Sequence, residues 1–291
     1  MEQIKLQTPV QIGRSRIEVS LRDSVVSLGS CFADNIGEKM AGLGFDILAN
    51  PFGTLYNPVS VCNSAARLAS GVPFTTRECV QMGAGSGRIC SFSHHTTFSR
   101  PTAEEFLSVA NRALEEASAR WKASSKVIVT LGTAWCFEHI ASGEIVSNCL
   151  KRDAKEFSRR RLSVSEVSAL LGNMVTRFPD KSFIFTVSPI RHLKDGAHGN
   201  QLSKSVLLLA IEETTGRFPE RTDYFPAYEI FMDELRDYRF YAPDMVHPSA
   251  QAVDYIWSRF VGWAVPESES AEIEERRKKL AASIHRPLFG E

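Results

Sequence analysis

A cysteine directly behind a buried strand is the first residue in this chain that could act as a nucleophile. Residues 28–32 read LGSCF and join a short apolar run to a helical pattern, which predicts a strand, a tight turn and a helix start. The positive end of a helix favours an anion, so it can lower the pKa of a thiol at Cys31. A buried, inert cysteine is the more common occupant of such a small apolar turn.

An acid and a histidine further along have the spacing of a catalytic base and its partner. Asp244 precedes His247 by three residues in the segment DMVHPS. A carboxylate at this spacing can accept the Nδ1–H of the imidazole and aim Nε2 at a nucleophile. The other interpretation is a turn at a helix start, with Pro248 and Ser249 at the boundary.

Apolar runs predict the strands that must position these groups, at residues 24–28, 45–48, 126–131 and 182–187. Helical patterns lie between or after them, at residues 33–43, 102–121, 163–178, 201–215 and 249–263. This alternation favours an α/β fold, a three-layer α/β/α sandwich with a mostly parallel sheet. Ligands bind to such sheets at the carboxyl ends of the strands.

The composition excludes several classes of function. The 291 residues include 34 basic and 34 acidic side chains, so bulk charge gives no attraction to nucleic acid or to a membrane. No apolar run approaches the roughly 20 residues of a membrane helix. Residues 1–9 lack the apolar core of a secretory signal, and we therefore expect a cytoplasmic protein.

The six cysteines are scattered singly, which predicts free thiols in a reducing compartment. Neither their spacing nor that of the histidines is typical of a metal site, and no nucleotide-binding motif is present, so we expect no metal and no cofactor. The chain reads as one domain over residues 1–265 with a loop or hairpin insertion near 62–101, followed by a charged, solvated helix or tail over 266–291. The oligomeric state stays open.

The pentapeptide GSCFA at residues 29–33 is the signature of the GSCFA family, and the chain resembles that family over about residues 20–262. The segment NPFGTLYNP at residues 50–58 and the DMVHPS segment belong to the same resemblance. Through them the chain is distantly similar to the SGNH (GDSL-type) hydrolases. That similarity implies a flavodoxin-like sheet and an esterase site.

The first SGNH motif is Gly-Asp-Ser at the end of the first strand. In the ungapped register it places Cys31 on the nucleophilic serine, whereas a shift by one residue would make Ser30 the nucleophile. The same resemblance makes His247 the general base and Asp244 its partner. It also makes Gly53 the candidate for a backbone N–H in the oxyanion hole, although a turn glycine is an equally good interpretation.

The third SGNH motif, Gly-x-Asn-Asp, is changed here. Residues 131–135 read LGTAW, so the side chain at position 134 is a methyl group, and Thr133 and Trp135 flank the place of the oxyanion-binding asparagine. Loss of such a donor can reduce a rate by about a hundredfold. Asn50 and Asn148 are candidate replacements, and each is also an ordinary turn residue.

Two basic pairs complete the predicted site. His94 and His95 lie in the insertion and would cover the crevice as a lid, or else lie on the surface. Arg191 and His192 follow the strand at residues 182–187 and would bind an anionic substrate group, or else lie in a solvated loop.

The leading hypothesis is an esterase that acts on a small-molecule ester through an acyl-enzyme, with an O-acylated carbohydrate as the preferred substrate class by analogy with SGNH enzymes. A thioester intermediate also suits an acyltransferase. A third hypothesis is a non-catalytic binding module on the same scaffold, which the changed third motif would explain.

Overall fold

A computed structural model of the protein describes residues 8–284. Its strands are β1 (Ser24–Gly29), β2 (Asp46–Ala49), β3 (Val80–Gln81), β4 (Ile89–Cys90), β5 (Lys126–Leu131), β6 (Trp135–His139), β7 (Glu144–Val146), β8 (Phe157–Arg161), β9 (Ser182–Val187) and β10 (Thr222–Phe225). Its α-helices are α1 (Cys31–Gly42), α2 (Pro58–Ser70), α3 (Ala103–Ala123), α4 (Val164–Arg177), α5 (Gly196–Arg217), α6 (Ala227–Glu229), α7 (Ala250–Ala264) and α8 (Ser270–Ile284). Within these residues no helix is both long and apolar enough to cross a bilayer.

The central sheet is parallel throughout, with the strand order β10-β9-β5-β1-β2. The four strands predicted from apolar runs are all present within a residue or two of their expected ends. The edge strand β10 is an addition to that prediction. Its sequence, TDYF, is too short and too polar to form an apolar run.

The two faces of the sheet pack against different helices. Val26 and Leu28 of β1 belong to a core shared with α2, α3, α4 and α5. Val25, on the opposite side of the same strand, packs in a second core with α1, α6 and α7. Because strand side chains alternate between faces, each apolar run serves both cores. The predicted three-layer α/β/α sandwich is confirmed.

The strand order reverses at β1. The chain leaves β1 through α1 to reach β2 on one side, and the later strands β5, β9 and β10 extend on the other. The carboxyl ends of β1 and β5 therefore form the switch point at which open α/β sheets bind ligands.

The predicted insertion differs from the structure at its start. Residues 62–70 continue helix α2, which begins with Asn57 as its cap and Pro58 in its first turn. The β3–β4 hairpin then contains the glycine cluster, as expected. The antiparallel sheet β7-β6-β8 forms a second insertion. It was not predicted, because its strands are short, alternate between apolar and polar residues and carry several charges, as in FSRRR.

The charged tail is more closely attached than its sequence suggests. Helix α8 is present, and its charged residues are largely exposed, but Ile273 is only 7% exposed and packs in the core shared with α1 and α7. Arg276 donates from Nη1 to the carbonyl of Leu43 at 2.9 Å. The helix is therefore docked against the carboxyl end of α1.

Candidate active site

The turn between β1 and α1 depends on Gly29. Its φ is +143°, a region that favours glycine, and a Cβ atom here would lie 2.0 Å from the carbonyl oxygen of Thr130. The Gly29 N–H donates to Asn50 Oδ1 at 2.8 Å, and its carbonyl accepts from the N–H of Leu55 at 2.7 Å. These contacts place Ser30 and Cys31 at the switch point.

Ser30 and Cys31 have different surroundings. Ser30 is fully buried and is the N-cap of α1, with its Oγ accepting from the N–H of Phe32 at 3.3 Å. Cys31 is the first residue of the helix and is partly exposed. Of the two, only the Cys31 side chain is open to an incoming group.

The pKa of the Cys31 thiol is raised, contrary to the expectation from its place on the helix. Burial is the largest cause, and the nearby carboxylate of Asp34 adds to it. The N–H groups of Cys31 and Phe32 and the charge of Lys204 oppose this shift without cancelling it. Cys31 is therefore a thiol in the resting protein, and a nucleophilic role requires a base.

Asp244 and His247 form the expected pair. His247 Nδ1 lies 2.6 Å from Asp244 Oδ2, and the N–H groups of Val246 and His247 donate to Asp244 Oδ1 at 2.9 and 3.0 Å. These N–H groups and the imidazole lower the pKa of Asp244 to about 2. A fixed carboxylate at Nδ1 makes Nε2 the free nitrogen of the ring, which a general base needs.

The structure brings the Asp244–His247 pair to the same edge of the sheet as Cys31. Tyr56 and His192 connect the two groups, and their rings meet edge to face with centroids 5.8 Å apart. The charge of Cys31 helps to raise the pKa of Tyr56, and the charge of His247 helps to lower that of His192, so each ring lies near one of the two groups. Among the described contacts no hydrogen bond joins Cys31 to His247.

Lys204 is the main group of this edge that the sequence analysis missed. It is fully buried on α5, and its Nζ donates to the carbonyl oxygens of Gly132 at 2.7 Å and Ser188 at 2.8 Å. Burial, with a smaller effect from Arg191, lowers its pKa to about 7. Its position could have been noticed, because Lys204 lies in phase with the apolar face that includes Leu207.

Unpaired polar atoms lie close to Lys204. The Ser188 hydroxyl, the Asn200 Nδ2 and the His192 Nε2 are buried without a hydrogen-bond partner. Asn200 is 1% exposed, and its Oδ1 accepts from the N–H of His192 at 2.9 Å, which leaves its NH2 group as the free end. Such atoms cost free energy unless a ligand or water satisfies them, so their concentration indicates a binding site.

Two predicted oxyanion groups are already occupied. The N–H of Gly53 donates to the carbonyl of Asn50 at 2.8 Å within a turn. The Asn50 side chain stabilises the turn at Gly29–Cys31. Its Nδ2 donates to Asp34 Oδ1 at 2.7 Å and to the carbonyl of Ser30 at 3.4 Å. Neither group is free in this structure to bind an oxyanion.

The residues around the third motif also serve local contacts. Thr133 Oγ1 shares a hydrogen bond with Ser203 Oγ at 2.9 Å, and Trp135 Nε1 donates to the carbonyl of Gly199 at 3.3 Å. These contacts tie the β5–β6 connection and the start of β6 to α5. Asn148 accepts from an amide two residues later in its own turn at 2.8 Å.

His94 and His95 lie in different surroundings, although they are consecutive in the chain. His94 is neither a lid nor a surface group, because it is fully buried with its ring centroid 4.6 Å from that of Phe74 and 4.7 Å from that of Phe98. Its Nδ1 lies 2.6 Å from Ser91 Oγ. His95 is partly exposed and packs over Gly53, where a Cβ atom would lie 2.3 Å from that of His95. The insertion thus covers the loop after β2.

Arg191 and His192 are not simply solvated. Both are partly buried after β9, and Arg191 Nη2 lies 3.2 Å from Met232 Sδ. Burial is the largest cause that lowers the pKa of His192 to about 4, so its imidazole is neutral near pH 7. Arg191 keeps a positive charge available at this edge.

A cavity of about 780 Å³ lies elsewhere, between α2 and the β6–β7 hairpin, with Ser64, Phe74 and Arg177 among its lining residues and without Cys31. All six cysteines are free. Within residues 8–284 no group of three or more His, Cys, Asp or Glu side chains is arranged to hold a metal ion.

Comparison with known proteins gives a family and no closer relative. No curated protein and no solved structure matches the chain. The model of the GSCFA family matches residues 24–260, which include the first motif, the switch point and the Asp244–His247 pair. This match covers most of the chain and excludes α8. The protein belongs to the GSCFA family.

Proposed function

We propose that the protein transfers an acyl group from an ester through a thioester on Cys31. The observation that carries this proposal is the position of Cys31, partly exposed at the start of α1 and at the switch point of the sheet. The Asp244–His247 pair at the same edge supports it, because the resting thiol needs a base.

In the first half of the reaction the Cys31 sulfur attacks the ester carbonyl carbon while its proton passes to His247 Nε2. The bond from that carbon to the alcohol oxygen then breaks, and the alcohol leaves with the proton from His247. Asp244 keeps the imidazole in the required tautomer and stabilises its charged form. The product is a neutral thioester on Cys31.

In the second half a hydroxyl group attacks the thioester carbonyl and gives its proton to His247. The carbon–sulfur bond breaks, and the sulfur recovers a proton from the imidazole. Water as the acceptor makes the protein an esterase, and an alcohol makes it a transferase. The similarity to SGNH enzymes favours an acylated carbohydrate among the substrates.

The oxyanion of both steps needs donors that the changed third motif does not provide. The N–H group of Cys31 is placed for this role at the start of α1, whereas that of Phe32 donates to the Ser30 cap. We propose that the free NH2 group of Asn200 takes the place of the missing asparagine. We also propose a cytoplasmic location, because six unpaired thiols are the usual state of cysteines in a reducing compartment.

The proposal is tested by brief exposure to p-nitrophenyl acetate and, separately, to acetyl-CoA, followed by intact-protein mass spectrometry and peptide mapping. We expect one acetyl group on Cys31 of the wild type, none after Cys31→Ala, and slow formation after His247→Ala or Asn200→Ala. Cys149, which is also partly exposed, is the internal control and should stay unmodified.

An acetyl group on Ser30 would keep the chemistry and contradict the choice of nucleophile. If neither donor labels the folded protein, and Cys31 alkylates no faster than Cys149, the acyl-transfer proposal is wrong. That result would favour a binding module on this scaffold.

A further inference from the structure

We infer that Lys204 is the counter-charge of the Cys31 thiolate, so that the two side chains ionise as one coupled pair at the switch point. The inference rests on the proposed function, because only a nucleophilic Cys31 needs to become a thiolate. It adds a group that lies outside the GSCFA, NPFGTLYNP and DMVHPS segments.

The position of Lys204 is built into the sheet. Its Nζ is bound to the carbonyls of Gly132 and Ser188, the residues that follow β5 and β9 directly. A neutral amine has two N–H groups and satisfies these two acceptors, whereas an ammonium group has a third N–H. The charged form therefore has one donor left for an anion at the same edge.

The burial of Lys204 calls for such an anion. A fully buried ammonium group without a charged partner is costly, and Lys204 forms no ion pair with a carboxylate among the described residues. Arg191 lies close enough to disfavour its charge, His192 is neutral near pH 7, and the ring of Tyr228 lies 5.4 Å from Nζ. Cys31 is the group whose negative charge favours the ammonium form.

The same interaction acts on Cys31. The charges around the thiol are unfavourable on the side of α1, where Asp34 opposes a thiolate, and Tyr56 on the facing loop is neutral because its own pKa is raised. Lys204 is the cation whose charge lowers the pKa of Cys31. Without it, only the N–H groups at the start of α1 would favour the thiolate.

In the proposed reaction the thiol proton moves to and from His247, and the ammonium form of Lys204 stabilises the thiolate that remains. Lys204 acts through Cys31 and is a positioning residue. When the thioester forms, the negative charge of the sulfur disappears, and the buried ammonium loses its partner. In the second half the sulfur leaves as a thiolate beside Lys204 before it recovers its proton from His247, so the ammonium charge stabilises the leaving sulfur.

The first test is the rate of alkylation of Cys31 by iodoacetamide as a function of pH, followed by peptide mapping. In Lys204→Met we expect the profile to move to higher pH, with alkylation at pH 7.5 slower by about tenfold, which corresponds to about one pKa unit. Lys204→Arg keeps a charge and should recover most of the rate. Cys149 should react equally in all three proteins.

An unchanged profile in folded Lys204→Met, checked by circular dichroism, would overturn the inference. A second measurement leaves position 204 intact, in case its variants do not fold. Lysine-labelled wild type and Cys31→Ala are titrated by NMR, and we expect the midpoint of Lys204 to be lower in Cys31→Ala. Equal midpoints would contradict the coupling. Neither test uses an acyl donor, so failure of the coupling and failure of acyl transfer are distinguishable.

Discussion

Gly29 carries the turn on which the candidate site depends, and its role gives a prediction at the scale of one residue. Gly29→Ala would place a Cβ atom 2.0 Å from the Thr130 carbonyl oxygen at a φ of +143°, so β1 and β5 would have to separate at the switch point. We expect a loss of about 3 kcal/mol or more in the free energy of unfolding, measured with urea.

Gly262→Ala is the matched control. It lies inside α7 with nothing within 4 Å of the added Cβ atom, and there the change should be neutral or slightly stabilising. Equal effects of the two substitutions would show that the Gly29 turn tolerates a side chain.

At this scale the sequence indicates which residues meet and less well what they do. The spacing of Asp244 and His247 predicted their hydrogen bond, since three residues on a loop suffice to close it. The partners of Gly53 and Asn50 were not predictable, because they depend on how the loop after β2 folds back on Gly29. Lys204 was missed because a lysine within a helical pattern is normally taken to be exposed.

Helix α8 provides a prediction at the scale of an element. Ile273→Ala removes a side chain that is 7% exposed in the core shared with α1 and α7, and we expect a loss of about 2–3 kcal/mol in the free energy of unfolding. Lys278→Ala on the same helix changes a side chain that is 74% exposed, and it should alter stability by less than about 0.5 kcal/mol. If both substitutions were neutral in thermal unfolding, α8 would not be docked in solution.

The elements were predictable where burial on both faces produces a continuous apolar run, as in β5 and β9. They were not predictable where a strand is short, lies at an edge or carries charges, as in β10 and β8. For α2 the signal was present in Asn57 and Pro58, a cap followed by a first-turn proline. The glycine-rich segment beyond this helix gives the whole stretch the pattern of one long loop, which hides the helix.

At the scale of the whole molecule, the structure predicts how the free energy of unfolding changes in acid. Burial lowers the pKa of His94 to about 3. Between pH 6 and pH 4 this imidazole therefore binds a proton in the unfolded chain but stays neutral in the folded protein. The stability linked to His94 is therefore present above about pH 6.5 and is lost as the pH falls. One such proton changes the free energy of unfolding by about 1.4 kcal/mol per pH unit.

His94→Phe removes the titratable imidazole and leaves an aromatic ring among its phenylalanine neighbours. We expect the dependence of unfolding free energy on pH between 6 and 4 to become shallower by about 1.4 kcal/mol per unit. His198→Ala, at an exposed position, should keep the wild-type slope. The same slope in all three proteins would mean that His94 is protonated in the folded state.

Helix α1 is held at both ends, and this limits which parts of the molecule can move. At its start the Gly29 turn is fastened to the loop after β2 and to β5, and beyond its last turn Arg276 of α8 binds the Leu43 carbonyl. The hydrogen bonds of the Asp244–His247 loop are local, as from the N–H of Ala242 to the carbonyl of His247 at 2.8 Å, and the two side chains are 51% and 48% exposed. If His247 moves toward the Cys31 sulfur during the reaction, the loop that carries His247 is therefore the part that moves, and Cys31 stays in place.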